Sequence, residues 1–235
     1  MGRLQKSYYQ PGEQRAAEVR SLFGAIAPRY DFINDLQSFW LHRLWKRHLV
    51  RLAAPKAGER ALDVCCGTGD IAAGLARRGA TVCGVDFSAE MLAVAARKWP
   101  GLFWIEADAQ NIPFRDESFD VVTVGYGLRN LADWRRGILE MRRVAKPGAR
   151  LLILDFGKPR NALWRSIYFT YLRLAVPLHG RMFCGNAAAY AYILESLKNY
   201  PAKDGVAAEL QNVGWSDVRT IDLLGGIMSI HFARA

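Results

Sequence analysis

The chain has 235 residues, 51% of them apolar, and a formal net charge of +10. This length suits one domain with a full hydrophobic core and an inserted lid. No run of eighteen apolar residues is free of charges, and the first twenty residues contain no apolar signal core. We therefore expect neither a spanning helix nor a secretory signal. The four cysteines lack both zinc spacing and the density of a disulfide scaffold, which indicates a reducing cytosol and no metal site.

The positive charge lies in two segments that flank a neutral centre. Residues 1–60 contain 11 Lys and Arg against 5 Asp and Glu, and residues 158–203 contain 7 against 1. Residues 61–157 contain 12 of each kind. Both basic segments are rich in aromatic side chains, a combination that fits an anionic membrane surface or RNA. It also fits a solvated basic face over core aromatics.

Residues 1–58 are predicted to form a helical cap, and residues 59–157 the cofactor-binding core. The core alternates between buried strand patterns and helix patterns, which predicts a parallel, doubly wound sheet. Lys146, Pro147 and Gly148 form a predicted break before the last of its strands. The predicted strands are Ala61–Cys66, Thr81–Asp86, Leu102–Ala107, Phe119–Val124 and Arg150–Phe156, and the predicted helices are Asp70–Arg78, Ser88–Lys98 and Asp133–Ala145.

The alternation stops after Gly157. Residues 158–203 are predicted to form a helical lid, and residues 204–235 a closing helix and hairpin. The hairpin strands are Val218–Leu223 and Ile227–Ala233, with Gly225 and Gly226 in the turn. We therefore predict one α/β domain with a seven-stranded, Rossmann-like sheet that ends in an antiparallel hairpin. Such an ending favours a methyltransferase over a dehydrogenase, whose sheet ends in a sixth parallel strand.

A glycine loop follows the first predicted strand. Gly67 and Gly69 allow a sharp turn and close approach to a ligand at a helix start. Ala72 takes the place of the third glycine of a dinucleotide motif. Asp63 is expected to add negative charge, which repels a pyrophosphate but suits the sulfonium and ammonium groups of S-adenosylmethionine (SAM). Asp86 ends the second strand, where an acid can accept hydrogen bonds from ribose hydroxyls.

A further acid, Asp108, ends the third strand and is expected beside the adenine. Strand-end acids are often only helix caps or loop residues. Here the glycine loop, Asp86 and Asp108 agree with one topology, which favours a cofactor role for them. The sequence thus predicts a SAM-dependent methyltransferase.

Five further segments carry a more specific pattern. On the evidence of these segments, the chain from Val19 onward resembles the ubiquinone/menaquinone-biosynthesis C-methyltransferase family. They are Phe23–Asn34 (F-x-x-I-A-x-x-Y-D-x-x-N), Ser38–Lys46 (S-x-G-x-H-R-x-W-K), Gly125–Asn130 (containing F/Y-G-L-R-N), Asp155–Pro159 (E/D-F-x-K-P) and Tyr190–Pro201 (Y-x-Y-L-x-x-S).

The resemblance implies methylation of a ring carbon of a prenylated hydroquinone, with demethylmenaquinol as the first choice. A benzoquinol, a phytyl-naphthoquinol or another small hydrophobic acceptor stays open. Two residues depart from the family pattern, because Gly125 replaces a serine and Trp40 replaces a glycine. The implied cofactor contacts are Thr68, Asp86, Asp108 and Ala109, and we add Phe87 and the backbone of Gly125.

Methylation of a ring carbon requires a neighbouring hydroxyl to lose its proton. Arg129 and Asn130 follow the fourth strand and are the candidates for stabilising the oxyanion. We hypothesise that a water held by these two residues relays the proton. The alternative role for Arg129 is an ion pair that holds the loop. The candidates for the base are Asp31, His42 and Tyr30 on the cap. A surface or capping role for His42 is favoured over a catalytic one.

The predicted lid contains an apolar helical stripe over residues 161–183, which suits an isoprenoid chain. We expect a cytoplasmic protein in peripheral contact with the inner face of an anionic membrane, with no nucleic-acid partner. Whether the chain forms a homodimer stays open. An RNA methyltransferase is disfavoured because no N-P-P-Y motif follows the fourth strand. A non-catalytic scaffold of this fold is disfavoured because the glycine loop is intact.

Overall fold

The computed structural model describes residues 13–184, 194, 196–197 and 200–235. Among the described residues, three helices precede the sheet, five strands alternate with three helices, and two further helices with bounds inside these ranges and two strands follow. The helices are α1 (Glu13–Ile26), α2 (Tyr30–Ser38), α3 (Leu41–Ala53), α4 (Asp70–Ala76), α5 (Ala89–Lys98), α6 (Trp134–Val144), α7 (Ala162–Cys184) and α8 (Ala202–Asn212). The strands are β1 (Arg60–Val64), β2 (Thr81–Asp86), β3 (Phe103–Glu106), β4 (Phe119–Gly125), β5 (Ala145–Phe156), β6 (Ser216–Leu223) and β7 (Met228–Arg234).

The seven strands form one sheet in the order β3-β2-β1-β4-β5-β7-β6. The first five are parallel, and β7 lies antiparallel between β5 and β6. This arrangement confirms the predicted α/β sheet with its terminal hairpin. The strand order reverses between β1 and β4, which is where ligands bind in open sheets of this kind.

Hydrophobic burial and helix caps explain why these segments adopt these elements. The central strands β1 and β4 are buried almost throughout because helices cover both faces of the sheet. The hydroxyl of Ser88 accepts a hydrogen bond from the backbone of Met91 at the start of α5. The carboxylate of Asp133 accepts hydrogen bonds from two backbone N–H groups at the start of α6. Both caps satisfy donors that a helix start leaves free.

The predicted break at Lys146–Gly148 is wrong as a boundary, because β5 begins at Ala145. Phe119 of β4 pairs with Ala145, whereas Val121 pairs with Arg150. The strand β5 therefore accommodates extra residues in an irregular pairing between these two points. The residues Lys146, Pro147 and Gly148 therefore shift the pairing between β4 and β5 without ending β5.

The cap and lid helices meet above the carboxyl edge of the sheet. The Tyr171 hydroxyl on α7 donates a 2.7 Å hydrogen bond to the Gln37 carbonyl on α2. The Trp164 Nε1 donates at 3.1 Å to the Leu224 carbonyl in the hairpin turn. Residues 185–193 of the predicted lid, with Tyr190 and Tyr192 of the family segment, lie outside the described residues. Across the described ranges, no helix has the length and apolar character needed to cross a bilayer.

Candidate active site

Two cavities meet at the carboxyl edge of the sheet. The first, of about 600 Å³, lies at the ends of β1, β2, β3 and β4 and is called here the polar cavity. The second, of about 320 Å³, lies among α2, α3, α7 and the hairpin turn and is called the apolar cavity. Phe23, Tyr30, Tyr126 and Arg129 line both cavities and form a shared wall. A group passing between a ligand in one cavity and a ligand in the other must cross this wall.

The glycine loop and the end of β2 form the floor of the polar cavity. Gly67 and Gly69 have φ values of +55° and +82°, a region that favours glycine. Buried Asp86 accepts hydrogen bonds from the backbone N–H of Gly67 at 2.8 Å and of Ser88 at 3.0 Å. Burial raises the pKa of Asp86, although these backbone donors lower it in part. The carboxylate is therefore held in a fixed position at the edge of the cavity.

Most of the predicted cofactor residues line the polar cavity. Asp108 lines this cavity together with Asp86, and its carboxylate accepts a 2.8 Å hydrogen bond from the backbone of Gln110. Arg20 on α1 pairs with Glu106 at the end of β3, and both line this cavity. The sequence reasoning missed Arg20, because its partner lies 86 positions away. The predicted residues that line the cavity are Gly67, Asp86, Phe87, Asp108, Ala109, Gly125, Arg129 and Asn130, together with Tyr30.

Asp63 does not add negative charge to the polar cavity, contrary to our expectation. Its carboxylate is 1% exposed and accepts hydrogen bonds from the Ala72 backbone at 3.0 Å and the Thr123 hydroxyl at 2.8 Å. Burial raises the pKa of Asp63 to about 7, against the lowering effect of these bonds. Asp63 lines only a small cavity of about 20 Å³ beneath the loop, as does Thr68. Its role is to anchor the first turn of α4.

Asp31 belongs to a network of two lysines and two aspartates, Asp31, Lys46, Asp70 and Lys98. The Asp31 carboxylate accepts hydrogen bonds from the Thr68 hydroxyl at 2.7 Å and from Lys98 Nζ at 2.6 Å. Asp70 accepts from Lys98 at 2.8 Å and from Lys46 at 2.9 Å. Burial would raise the pKa of Asp70, but the two lysines lower it strongly. Asp31 thus connects the cap to the glycine loop. A base for the acceptor would have to line the apolar cavity, and Asp31 does not line it.

Arg129 is held in the shared wall by a buried ion pair. Its guanidinium donates at 3.0 Å to the Asp155 carboxylate and at 2.5 Å to the Tyr126 carbonyl, and it lies 4.3 Å from the Phe156 ring centroid. This contact is the ion pair that the sequence left open as an alternative, and Arg129 still lines both cavities. Asn130 donates to the Tyr126 carbonyl at 3.2 Å and lines the polar cavity alone. A water held by both residues beside the acceptor is therefore not favoured by this arrangement.

The two tyrosines of the shared wall are hydrogen-bond donors rather than bases. Burial raises the pKa of Tyr30 to about 12, although Arg129 lowers it in part. Burial also raises the pKa of Tyr126 well above its ordinary value. Both phenols therefore keep their protons at neutral pH. The predicted role of Tyr30 as a base is not supported by this environment.

Of the surface or capping role that we favoured for His42, the surface part is wrong, and the ring bonds a carboxylate rather than a helix end. The side chain is buried, lies against the apolar cavity and has its Nε2 2.8 Å from the Asp35 carboxylate. Burial and the nearby Lys46 lower the pKa of His42, although Asp35 raises it in part. A neutral imidazole is the form favoured at neutral pH, so His42 remains a candidate base at the apolar cavity.

The apolar cavity contains several polar atoms that have no hydrogen-bond partner among the described residues. Each of these atoms is buried and belongs to a residue that lines the cavity. Leaving such a group unpaired costs free energy, and a ligand that carries hydroxyl or carbonyl oxygens removes that cost. The atoms are Gln37 Nε2, His42 Nδ1, Tyr126 Oη and Tyr168 Oη.

The two departures from the family pattern have structural explanations. A Cβ atom at Gly125 would lie 2.4 Å from Ile71 Cδ1, so Ile71 fills the space that a serine needs. Trp40 has a φ of +62° and is 60% exposed, beside Phe39 with a φ of +50°. The glycine of the family therefore corresponds to a left-handed backbone position. Trp40 does not line the apolar cavity, so it does not narrow it.

We predict that Gly125→Ser and Ile71→Val compensate each other. Gly125→Ser alone should lower the free energy of unfolding by about 1 kcal/mol through overpacking, and Ile71→Val alone by about 1 kcal/mol through a lost methyl group. The double variant should lose about 1 kcal/mol less than the two single losses together, because the new Cβ replaces the deleted Cδ1. Urea unfolding of all four proteins measures this coupling, and strictly additive losses would contradict it.

The sequence comparisons agree with this geometry. A model of the ubiE/COQ5 methyltransferase family matches residues 10–235. A demethylmenaquinone methyltransferase of Paenarthrobacter aurescens is 40% identical, over 94% of this chain and 88% of that protein. The ubiquinone/menaquinone biosynthesis C-methyltransferase of Rubrivivax gelatinosus is 40% identical, over 97% and 92%. A 2-phytyl-1,4-naphtoquinone methyltransferase of Nostoc punctiforme is 42% identical, over 91% and 96%.

The structural comparisons support the fold. A SAM-dependent methyltransferase of Thermotoga maritima has a TM-score of 0.64 at 19% identity, over 91% of this chain and 98% of that one. A phosphoethanolamine N-methyltransferase of Haemonchus contortus in complex with SAM has a TM-score of 0.60 at 17% identity, over 81% and 52%. With the glycine loop, the two cavities and these matches together, the chain belongs to the ubiE/COQ5 methyltransferase family and is a SAM-dependent methyltransferase.

Proposed function

We propose that the chain methylates a ring carbon of a prenylated hydroquinone, with demethylmenaquinol as the first substrate to test. The observation that carries this proposal is the wall shared by the polar and apolar cavities. It supports a reaction between a polar cofactor and an apolar acceptor that approach each other from opposite sides. The names of the three relatives, which refer to demethylmenaquinone, to ubiquinone/menaquinone biosynthesis and to phytyl-naphtoquinone, favour a quinone-type acceptor.

The residues of the polar cavity fit SAM. The Asp86 carboxylate is fixed by backbone donors at the end of β2, where it can accept hydrogen bonds from ribose hydroxyls. Asp108 provides a second acceptor beyond the end of β3, suited to the exocyclic amine of adenine. When bound, SAM supplies an electrophilic methyl group on a sulfonium. Tyr30 and Tyr126, in the shared wall, exclude water from the path of that group.

The residues of the apolar cavity fit a hydroquinone that carries a prenyl chain. The unpaired Tyr126 and Tyr168 hydroxyls can bind ring oxygens, while Ile167 and Leu172 of α7 provide apolar contact for the chain. Naphthoquinols and benzoquinols both present two para oxygens, so the geometry suits either ring. The choice between them is left to the assay below.

Arg129 is the residue that we propose to activate the acceptor. A ring carbon becomes nucleophilic when the adjacent hydroxyl loses its proton, and a nearby cation favours the phenolate. The guanidinium is fixed by Asp155 and lies in the wall between the cavities. We assign the proton transfer itself to His42, which faces the apolar cavity and is neutral at neutral pH.

The substrate assignment predicts a direct assay result. The purified chain with SAM should convert demethylmenaquinol to menaquinol, detected by mass spectrometry as a gain of one methyl group. A prenylated benzoquinol that lacks its ring methyl group and a phytyl-naphthoquinol tested in parallel define the preferred ring. If SAM binds in calorimetry but none of these quinols is methylated, the proposed acceptor is wrong while the family assignment stands.

The role of Arg129 predicts a pH-dependent loss of activity in the charge-balanced variant Arg129→Gln/Asp155→Asn. Removing both charges avoids an unpaired buried aspartate. We expect kcat to fall about 100-fold at neutral pH, as for other losses of electrostatic stabilisation. The deficit should shrink as pH rises toward the ordinary phenol pKa of about 10. The matched control Arg160→Gln/Asp204→Asn removes an exposed ion pair and should retain most activity. Near-wild-type turnover of the Arg129→Gln/Asp155→Asn variant would refute the role.

We further propose that the mouth of the apolar cavity contacts an anionic bilayer. Phe39, Ile167 and Leu224 line the cavity and are at least half exposed, and Trp40 lies beside them. Apolar side chains around a cavity opening mark a surface that binds an apolar partner. A prenylated substrate is dissolved in the bilayer, so a lipid surface at this opening brings the acceptor to the site. Basic residues next to aromatic ones favour anionic headgroups.

The variant Phe39→Asn/Trp40→Gly should lose vesicle binding without losing its fold. Asn and Gly tolerate the left-handed backbone at these two positions. We expect flotation with vesicles containing phosphatidylglycerol to fall at least fivefold, because the apolar contact area is lost. The matched control Phe103→Ser removes an equally exposed phenylalanine on the edge strand β3. Equal flotation of both variants, or binding to RNA in place of vesicles, would count against the membrane contact.

A further inference from the structure

A third cavity lies outside the two that the proposed reaction uses. It has a volume of about 760 Å³ and is bounded by α3 and by the C-terminal ends of α4 and α5. We call it the basic cleft. Its charged lining consists of seven cations and two aspartates: Arg43, Lys46, Arg47, Arg51, Arg77, Arg78, Lys98, Asp31 and Asp70.

Some of these cations already have partners. Lys46 and Lys98 bind the two aspartates of the cleft, and Arg43 binds Asp35. Arg77 lies 5.5 Å from the ring centroid of Trp99. The other three cations of the cleft are Arg47, Arg51 and Arg78. In the part of the chain that the structure describes, their guanidinium groups have no acidic or aromatic partner. The cleft therefore holds three exposed cations that its own acids do not neutralise.

The spacing of the arginines on α3 works against the stability of that helix. Arg43, Arg47 and Arg51 recur every fourth residue, so their like charges lie one above the other. Arg78 adds another cation from the end of α4. An anion placed among these groups would relieve the repulsion, and a guanidinium fork matches phosphate oxygens.

The floor of the cleft is built from close packing rather than from mobile side chains. A Cβ at Gly74 on α4 would lie 2.9 Å from Val50 Cγ2 on α3, so the two helices approach closely at this point. Trp99 is fixed by a hydrogen bond from its Nε1 to the Thr68 carbonyl at 3.2 Å. The shape of the cleft is therefore largely formed before any ligand arrives.

We propose that the basic cleft binds a phosphate or diphosphate group through Arg47, Arg51 and Arg78. This chemistry has two sources, a free anion and the headgroup of an acidic phospholipid. The site is separate from the proposed methyl transfer, because none of these three residues lines the polar or the apolar cavity.

The test compares the full chain with the variant Arg47→Gln/Arg51→Gln/Arg78→Gln. Calorimetry at constant ionic strength uses sodium diphosphate as the free probe. Flotation uses phosphatidylcholine vesicles with and without phosphatidylglycerol as the lipid probe. The matched control is Arg115→Gln, an exposed arginine in the β3–β4 connection. Thermal unfolding and SAM affinity verify that each variant is folded, and the single variant Arg78→Gln replaces the triple one if the latter is not.

We expect at least a tenfold loss of binding in the triple variant and no change in Arg115→Gln. Loss of diphosphate binding assigns the free anion, and loss of phosphatidylglycerol-dependent flotation alone assigns the lipid headgroup. The proposal would be overturned if all variants bound both probes equally. It would also be overturned if the wild-type chain bound neither diphosphate nor the phosphatidylglycerol vesicles. Retention on immobilised RNA is measured in parallel. If the triple variant changes only this retention, the proposal is overturned as well. None of these outcomes depends on methyl transfer, so the proposal and the proposed function can fail separately.

Discussion

The buried ion pair between Arg129 and Asp155 fixes the wall on which both cavities depend. Asp155 lies near the end of β5 and accepts hydrogen bonds from the backbone and the guanidinium of Arg129. The turn after β4, with Tyr126 at a φ of +63°, is thereby attached to the neighbouring strand. Removing two charges from water is costly, so such a pair rarely adds net stability. Its effect here is positional, because it holds a cation where a polar and an apolar ligand would meet.

The features that the sequence predicted correctly are those set by local pattern. Alternating strand and helix patterns predicted the seven strands and the hairpin, and strand ends predicted that Asp86 and Asp108 share one edge. Which way a side chain points from a buried strand is not a local property. Asp63 is adjacent to the loop in sequence, yet its carboxylate turns under it toward Ala72 and Thr123. Burial then raises its pKa to about 7, so the negative charge that we expected is weakened at neutral pH and lies beneath the loop rather than in the polar cavity.

The cap shows a second reason why the sequence was insufficient, which is that its contacts are long-range. Asp31 meets Thr68 and Lys98, which lie 37 and 67 positions away. His42 is buried because α7 and the shared wall enclose the apolar cavity around it. Composition revealed the basic character of residues 1–60 but not that three arginines of α3 and two that directly follow α4 share a cleft. Pairing of charges across helices is decided by packing, which a single sequence does not specify.

Helix α3 places two chemically opposite surfaces side by side. Leu41 and Trp45 contribute to the apolar cavity, whereas Arg47 and Arg51 line the basic cleft. A helix with an apolar and a cationic face suits the boundary between acyl chains and headgroups. If the exposed rim of Phe39 and Trp40 enters a bilayer, the cleft on the other flank of the same helix comes near the phosphate layer. The mouth of the apolar cavity would then determine how the acceptor enters. The cations of the basic cleft would determine how the domain is oriented on the bilayer.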